Sequence, residues 1–154
     1  PATVLSGPIL DSLRTPWVGG SNLWWAEAAL TVPGGVGGVF LQDGVPYIYL
    51  TDTTRRVEAV EGLTDLGLIG PPFDVESVVA VQARWDFAQL ADWYEYLVPK
   101  VVPHLRSSDI QEGRNRLEFG VADEPGRELM EGVLKTLDLP CNLVAIRIAP
   151  TIGF

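Results

Sequence analysis

The chain has 154 residues, 47% of them hydrophobic and 20% charged, with a formal net charge of −9. That much core material excludes a disordered acidic tail and needs no metal or disulfide staple, while the excess of acids disfavours nucleic acid and anionic membranes as partners. Cys141 is the only cysteine, which excludes an intramolecular disulfide, and no apolar run reaches the roughly eighteen residues that a bilayer-spanning helix needs.

In chain order, residues 1–20 read as irregular structure punctuated by Pro8, Pro16, Gly19 and Gly20. Ser21 or Asn22 then caps a helix over Leu23–Leu30, stopped by Pro33 and Gly34. The glycine run Gly34, Gly35, Gly37, Gly38 suits a sharp turn or a close backbone approach. Val39–Leu41 and Val45–Thr51 read as strands joined at Asp43-Gly44, a pair that readily takes positive φ. A short amphipathic helix follows Asp52, with Gly62 able to end it. Residues 64–72 are loop and SVVAVQA is a strand.

The strongest local signature lies at 85–97. Asp86 and Gln89 have capping-box spacing, Trp85 and Leu90 have staple spacing, and Leu90, Trp93, Tyr94 and Leu97 form one apolar stripe. Pro99 and Pro103 are expected to break that helix. Past a turn at EGRN, Leu117, Phe119 and Val121 alternate with Arg116, Glu118 and Gly120 as in a strand with one buried face. Asp123 precedes a helix with Pro125 in its first turn and a stripe of Leu129, Met130, Val133, Leu134 and Leu137; Val144, Ile146 and Ile148 share a face of the last strand.

From Val78 the order is β, α, β, β, α, β. The fold expectation is therefore α+β, with a ferredoxin-like βαββαβ half over about 77–149 and an N-terminal helix and hairpin as an extension. The corresponding division is an N-terminal helix-plus-hairpin subdomain over 1–74 and a ferredoxin-like one over 75–154, packed together, with one continuous domain as the alternative. The order helix, hairpin, capped helix, strand from Ser21 to Ala83 recurs from Asp86 to Ile148, with Asp43-Gly44 matching Glu112-Gly113 and Asp52 matching Asp123. Duplication of one unit, and coincidence between two generic hairpins, both account for that echo.

No residue set reads as an active site. His104, the only histidine, follows Pro103 at a junction and reads as a solvent-facing loop residue, although Ser107, Ser108 and Asp109 lie near it in sequence. Cys141 reads as a small buried hydrophobe. One histidine and one cysteine do not make a zinc site, no calcium-loop spacing is present, and the glycine run lacks the lysine of a phosphate loop, so no metal or cofactor is expected. Asp52 and Asp123 suit helix caps, and Glu58, Glu61, Glu128 and Glu131 suit solvated helix faces. The surplus of large aromatics stands out, because Trp24, Trp25 and Tyr96 do not all fit one core and suit a partner surface.

The segments VPGGVGGVFLQDGVPYIYLTD, WDFAQLADWYEYL and SDIQEGRNRLEFGVADEPGRELMEGVLKTLDLP resemble, in that order, the N-terminal or pro-region domains that precede trypsin-like serine protease domains in bacterial secreted proteins of the alpha-lytic protease and streptogrisin type. The resemblance spans about Ala29–Ile148. It rests on Gly37-Gly38 ahead of a hairpin, with Val36 where an aromatic is commoner, and on Asn115-Arg116-Leu117 at the start of a strand. It implies a non-catalytic domain that assists folding of an attached protease and inhibits it, with the 110–121 hairpin offering a sheet edge and Ala149–Phe154 entering the substrate cleft. It also implies an extracytoplasmic location after removal of a leader, while a start at Pro1 without a basic, apolar leader also fits a cytosolic protein. The protease motifs are absent from this chain, so no catalytic residue is assigned. The candidate partner-binding residues are Trp24, Trp25, Tyr96, Ile110, Arg114, Arg116, Ile152 and Phe154. The alternatives are a free-standing protein-binding domain and, less favoured, a small-molecule-binding or enzymatic α+β domain.

Overall fold

A computed structural model describes residues 20–149. The expected irregular segment before Gly20, and the tail beyond Ala149 with Ile152 and Phe154, lie outside the described residues. Among the described residues, ten helices and strands follow one another: α1 (Gly20–Thr31), β1 (Val36–Gln42), β2 (Val45–Leu50), α2 (Arg56–Asp65), β3 (Val79–Gln82), α3 (Phe87–Val101), β4 (Ser107–Gln111), β5 (Arg116–Val121), α4 (Glu124–Lys135) and β6 (Val144–Ile148).

The strands form two three-stranded mixed sheets, ordered β1-β2-β3 and β4-β5-β6. In each, a hairpin supplies an antiparallel pair and the strand after the next helix returns parallel to the hairpin's second strand. The mixed α+β class stands, but a ferredoxin-like sheet over 77–149 does not form. The strand within SVVAVQA pairs with β2, from Tyr47↔Val79 to Leu50↔Gln82, and takes no place beside β4–β6. The connection through α2 is long enough for a parallel return, so β3 finishes the preceding hairpin's sheet.

Contacts divide the described chain into two compact units, 20–91 with the turn 112–115, and 92–111 with 116–149. The division falls between Ala91 and Asp92.

In the first unit, Ile48 and Leu50 of β2 are fully buried in one cluster with Val36, with Ala28 and Val32, and with Ala59, Val60 and Leu63 of α2. Alternation turns Tyr47 and Tyr49 to the opposite face, where Phe40 stacks on Tyr47 at 4.9 Å between ring centroids. Helix α2 continues through Gly62 instead of ending there. A Cβ at that position would lie 2.9 Å from Cγ1 of Val32, so the glycine serves a close approach. Helix α1 already includes Ser21 and Asn22, so neither stands ahead of it as a cap.

In the second unit, Leu117, Phe119 and Val121 of β5 are fully buried, joined by Leu97 and Val101 of α3 and Met130 of α4. Pro99 does not break α3, which runs to Val101 before a tight turn over Val102–His104. A proline in the last turn already has helical φ and removes a single donor. The stripe expected on α4 is narrower than its apolar residues suggest: Met130 is buried, whereas Leu129 is 56% exposed.

The echo in element order extends to sheet topology and to single residues. Asp52 and Asp123, Arg56 and Arg127, Leu63 and Leu134, Leu66 and Leu137, and Leu68 and Leu139 all recur at one constant separation along the chain. Asp52 accepts from the Thr54 amide ahead of α2, and Asp123 accepts from the Gly126 amide at the start of α4. The two acids thus cap corresponding turns.

Candidate partner-binding surfaces

In the first unit, Trp24 and Trp25 are neighbours on α1 but point apart. Trp25 is half-buried with its ring 6.4 Å from that of Phe87, whereas Trp24 is 60% exposed. Trp24, Glu27, Ala28 and Thr31 form one side of α1 at i, i+3, i+4 and i+7, and with Leu66, Gly67 and Leu68 they line an open groove of about 510 Å³. The sequence reading missed Leu66 and Leu68, which sit in a stretch read only as loop; two leucines among its glycines and prolines were the available signal.

The turn 112–115 belongs to the same unit, and Asn115 anchors it. The Asn115 side chain accepts from the amides of Arg84 and Trp85 at 2.8 and 3.1 Å, and its Nδ2 donates to the Trp85 carbonyl at 2.8 Å. It is 5% exposed, with backbone φ of 52°, in the left-handed region that asparagine tolerates better than most residues. Gly37 and Gly38 make room for this turn. A Cβ on Gly37 would lie 2.7 Å from Asn115 Nδ2, and one on Gly38 would lie 2.4 Å from Glu112 Cβ. This is why β1 carries a bulge at Gly37, where its register against β2 shifts. Arg114 is exposed at the tip of the turn.

In the second unit, Tyr96 is half-buried on α3, edge-on to Trp93 with centroids 5.9 Å apart, and the Lys100 ammonium sits 4.4 Å from its ring centroid. Ile110 is 4% exposed and paired opposite Leu117, so its side chain belongs to the core. Only its backbone, on the end strand β4, remains as a contact. Arg116 pairs with Glu118 at 2.8 Å. Asp109 lies directly across from Glu118 in the hairpin. Partial burial pushes the Asp109 carboxyl above the usual carboxylate range, the Glu118 charge adds to this, and Arg147 opposes it.

His104 is half-buried in its turn, and Cys141 is exposed, contrary to the expected buried thiol. Pro140 and Leu143 take the inward positions around Cys141. Among the described residues, no group of three His, Cys, Asp or Glu side chains is placed to hold a metal, and no helix is long and apolar enough to cross a membrane.

No family model matches the chain, and neither a curated protein nor a solved structure does.

Proposed function

We propose that the chain is a non-catalytic domain of the pro-region type, acting outside the cytoplasm, which binds a trypsin-like serine protease, assists its folding and inhibits it. The observation that carries the reading is the placement of β4 and β6. Both are end strands of the second sheet, and β6 leads directly into residues 150–154. One sheet therefore offers a backbone edge at β4 for an extended segment of the protease, and the tail follows in sequence from the strand at its opposite side. The same proposal takes the repeated order of helix, hairpin, helix and strand as duplication of one module.

Refolding of a denatured trypsin-like protease of the alpha-lytic type tests this. Added chain should raise the yield of active enzyme and then inhibit it. Ser108→Pro, which places a ring and removes a donor on the outward side of β4, should reduce the yield, and removal of residues 150–154 should relieve inhibition more than it reduces the yield. Neither assistance nor inhibition at micromolar chain would overturn the reading. The groove beside Trp24 favours a second reading, a protein-binding domain with a different partner; in that case Trp24→Ala would abolish capture of the partner while Ser108→Pro would not.

A further inference from the structure

In the first unit a groove of about 360 Å³ lies along α2, between the last turns of that helix and the segment 70–75 that follows it. Val60, Phe73 and Val75 make it apolar, and three exposed carboxylates, Glu61, Asp65 and Asp74, line it with them. Among the described residues no lysine or arginine lines it. Arg56, one turn ahead of Val60 on the same face of α2, is engaged with the carbonyls of Val75 and Val78.

The acids on α2 weaken the helix that carries them. Glu61 and Asp65 are an i, i+4 pair of like charge, which is unfavourable in a helix. Both lie in the C-terminal half of α2, toward the carbonyl end that already presents negative potential, and no basic residue occupies the last turn. Neither forms an ion pair among the described residues. Asp74 accepts from the Ser77 amide at 2.8 Å.

The second unit shows that such a groove does not require these charges. It has a groove at the corresponding place along α4, with Lys135, Val144 and Ile146 where the first has Thr64, Phe73 and Val75, all at the constant separation of the repeat. Arg127 donates to the Ile146 carbonyl at 3.1 Å, as Arg56 does to that of Val75. At the places of Glu61, Asp65 and Asp74 stand Gly132, Thr136 and Ala145. Local rules broken without benefit to the fold mark positions kept for another purpose.

We infer that the groove along α2 binds a cationic peptide segment, with an apolar side chain against Val60, Phe73 and Val75 and a lysine or arginine beside Glu61 and Asp65. The unfavourable repulsion within the rim turns favourable once a cation enters it, and the apolar surface selects a peptide over a bare ion. Among the described residues no three acids are placed to share a metal ion. Charge also separates the occupant from the ends of this chain. Residues 1–19 carry Asp11 and Arg14, which cancel, and residues 150–154 carry no charged side chain. The inference stands apart from the protease reading, since its test needs no protease.

Titration of the full chain with a blocked peptide alternating leucine and lysine, followed through amide chemical shifts, provides the test. Shifts should centre on Thr64 and Phe73, and added salt should weaken binding. Peptides alternating leucine with glutamate, or serine with lysine, should bind more weakly. Glu61→Gln combined with Asp65→Asn removes both charges at constant size and relieves the like-charge pair, and it should weaken binding by at least about tenfold. Asp74→Asn, which keeps the acceptor for Ser77, is the second variant and decides the matter if the double one unfolds. Glu128→Gln, at an exposed acid of α4, should leave binding unchanged. No binding of the leucine-lysine peptide at millimolar concentration, binding indifferent to the groove variants, or an equal loss with Glu128→Gln would overturn the inference. Equal binding of either control peptide would overturn it too.

Discussion

Three hydrogen bonds converge on the Asn115 side chain, and their partners are main-chain groups of Arg84 and Trp85 that lie outside any ladder. Asn115→Ala would strand two amides and a carbonyl beside a buried site and place alanine at a left-handed φ. The expected cost is about 2–4 kcal/mol, measurable as a lower urea midpoint, with the turn 112–115 gaining amide exchange first. Asp109 gives a pH signature. Its pKa is raised in the folded state, so the folded chain holds that proton more tightly than the unfolded one. Its contribution is therefore best below the ordinary carboxylate value, and stability falls as pH rises through the raised value. Asp109→Asn should flatten the fall in stability as pH rises above the ordinary carboxylate value, as read by urea denaturation. A steeper fall with pH in the variant would contradict the assignment. The sequence marked Asn115 as the start of a strand motif and Asp109 only as a neighbour of His104, because a cross-chain bond and a cross-strand charge both depend on pairing that spacing does not encode.

At the scale of elements, local capping was legible because its partners are three residues apart. The box at Asp86 and Gln89 forms reciprocally, with bonds of 3.0 and 2.8 Å, and Asp52 and Asp123 cap as their positions imply. Asp123→Ala should cost about 1 kcal/mol, seen as a lower thermal midpoint, and should speed exchange in the first turn of α4, which carries Arg127. Helix ends were read less well. Gly62 lies inside α2 and Pro99 inside α3, because a single breaker yields when packing, as against Val32, or a position in the last turn makes it tolerable. The apolar pattern of α4 likewise overstated its buried face: Leu129 fits the helical period but points outward.

Across the whole molecule, each unit has its own buried centre, with Ile48, Leu50 and Leu63 in the first and Leu117, Phe119 and Met130 in the second. Leu63→Ala should cost about 3 kcal/mol and raise amide exchange in β1–β3 before β4–β6; Phe119→Ala should reverse that order. Equal acceleration in both sheets from either substitution would show that the two centres do not respond separately.

The sequence by itself determined the class, the kinds of element and their order, the capping acids and the two hairpins. All of these rest on interactions within a few residues or on the periods of 2 and 3.6. It also displayed the repeat, through Asp52 and Asp123, without saying what the repeat builds. Only the tertiary structure decided that β3 closes the first sheet, that Asn115 anchors a turn against Arg84 and Trp85, and that Arg56 and Arg127 reach the edges of the third strands. An apolar stripe specifies that a face must be covered but not by which partner, and a guanidinium on a long stem gives no sign in sequence of the carbonyl it will find.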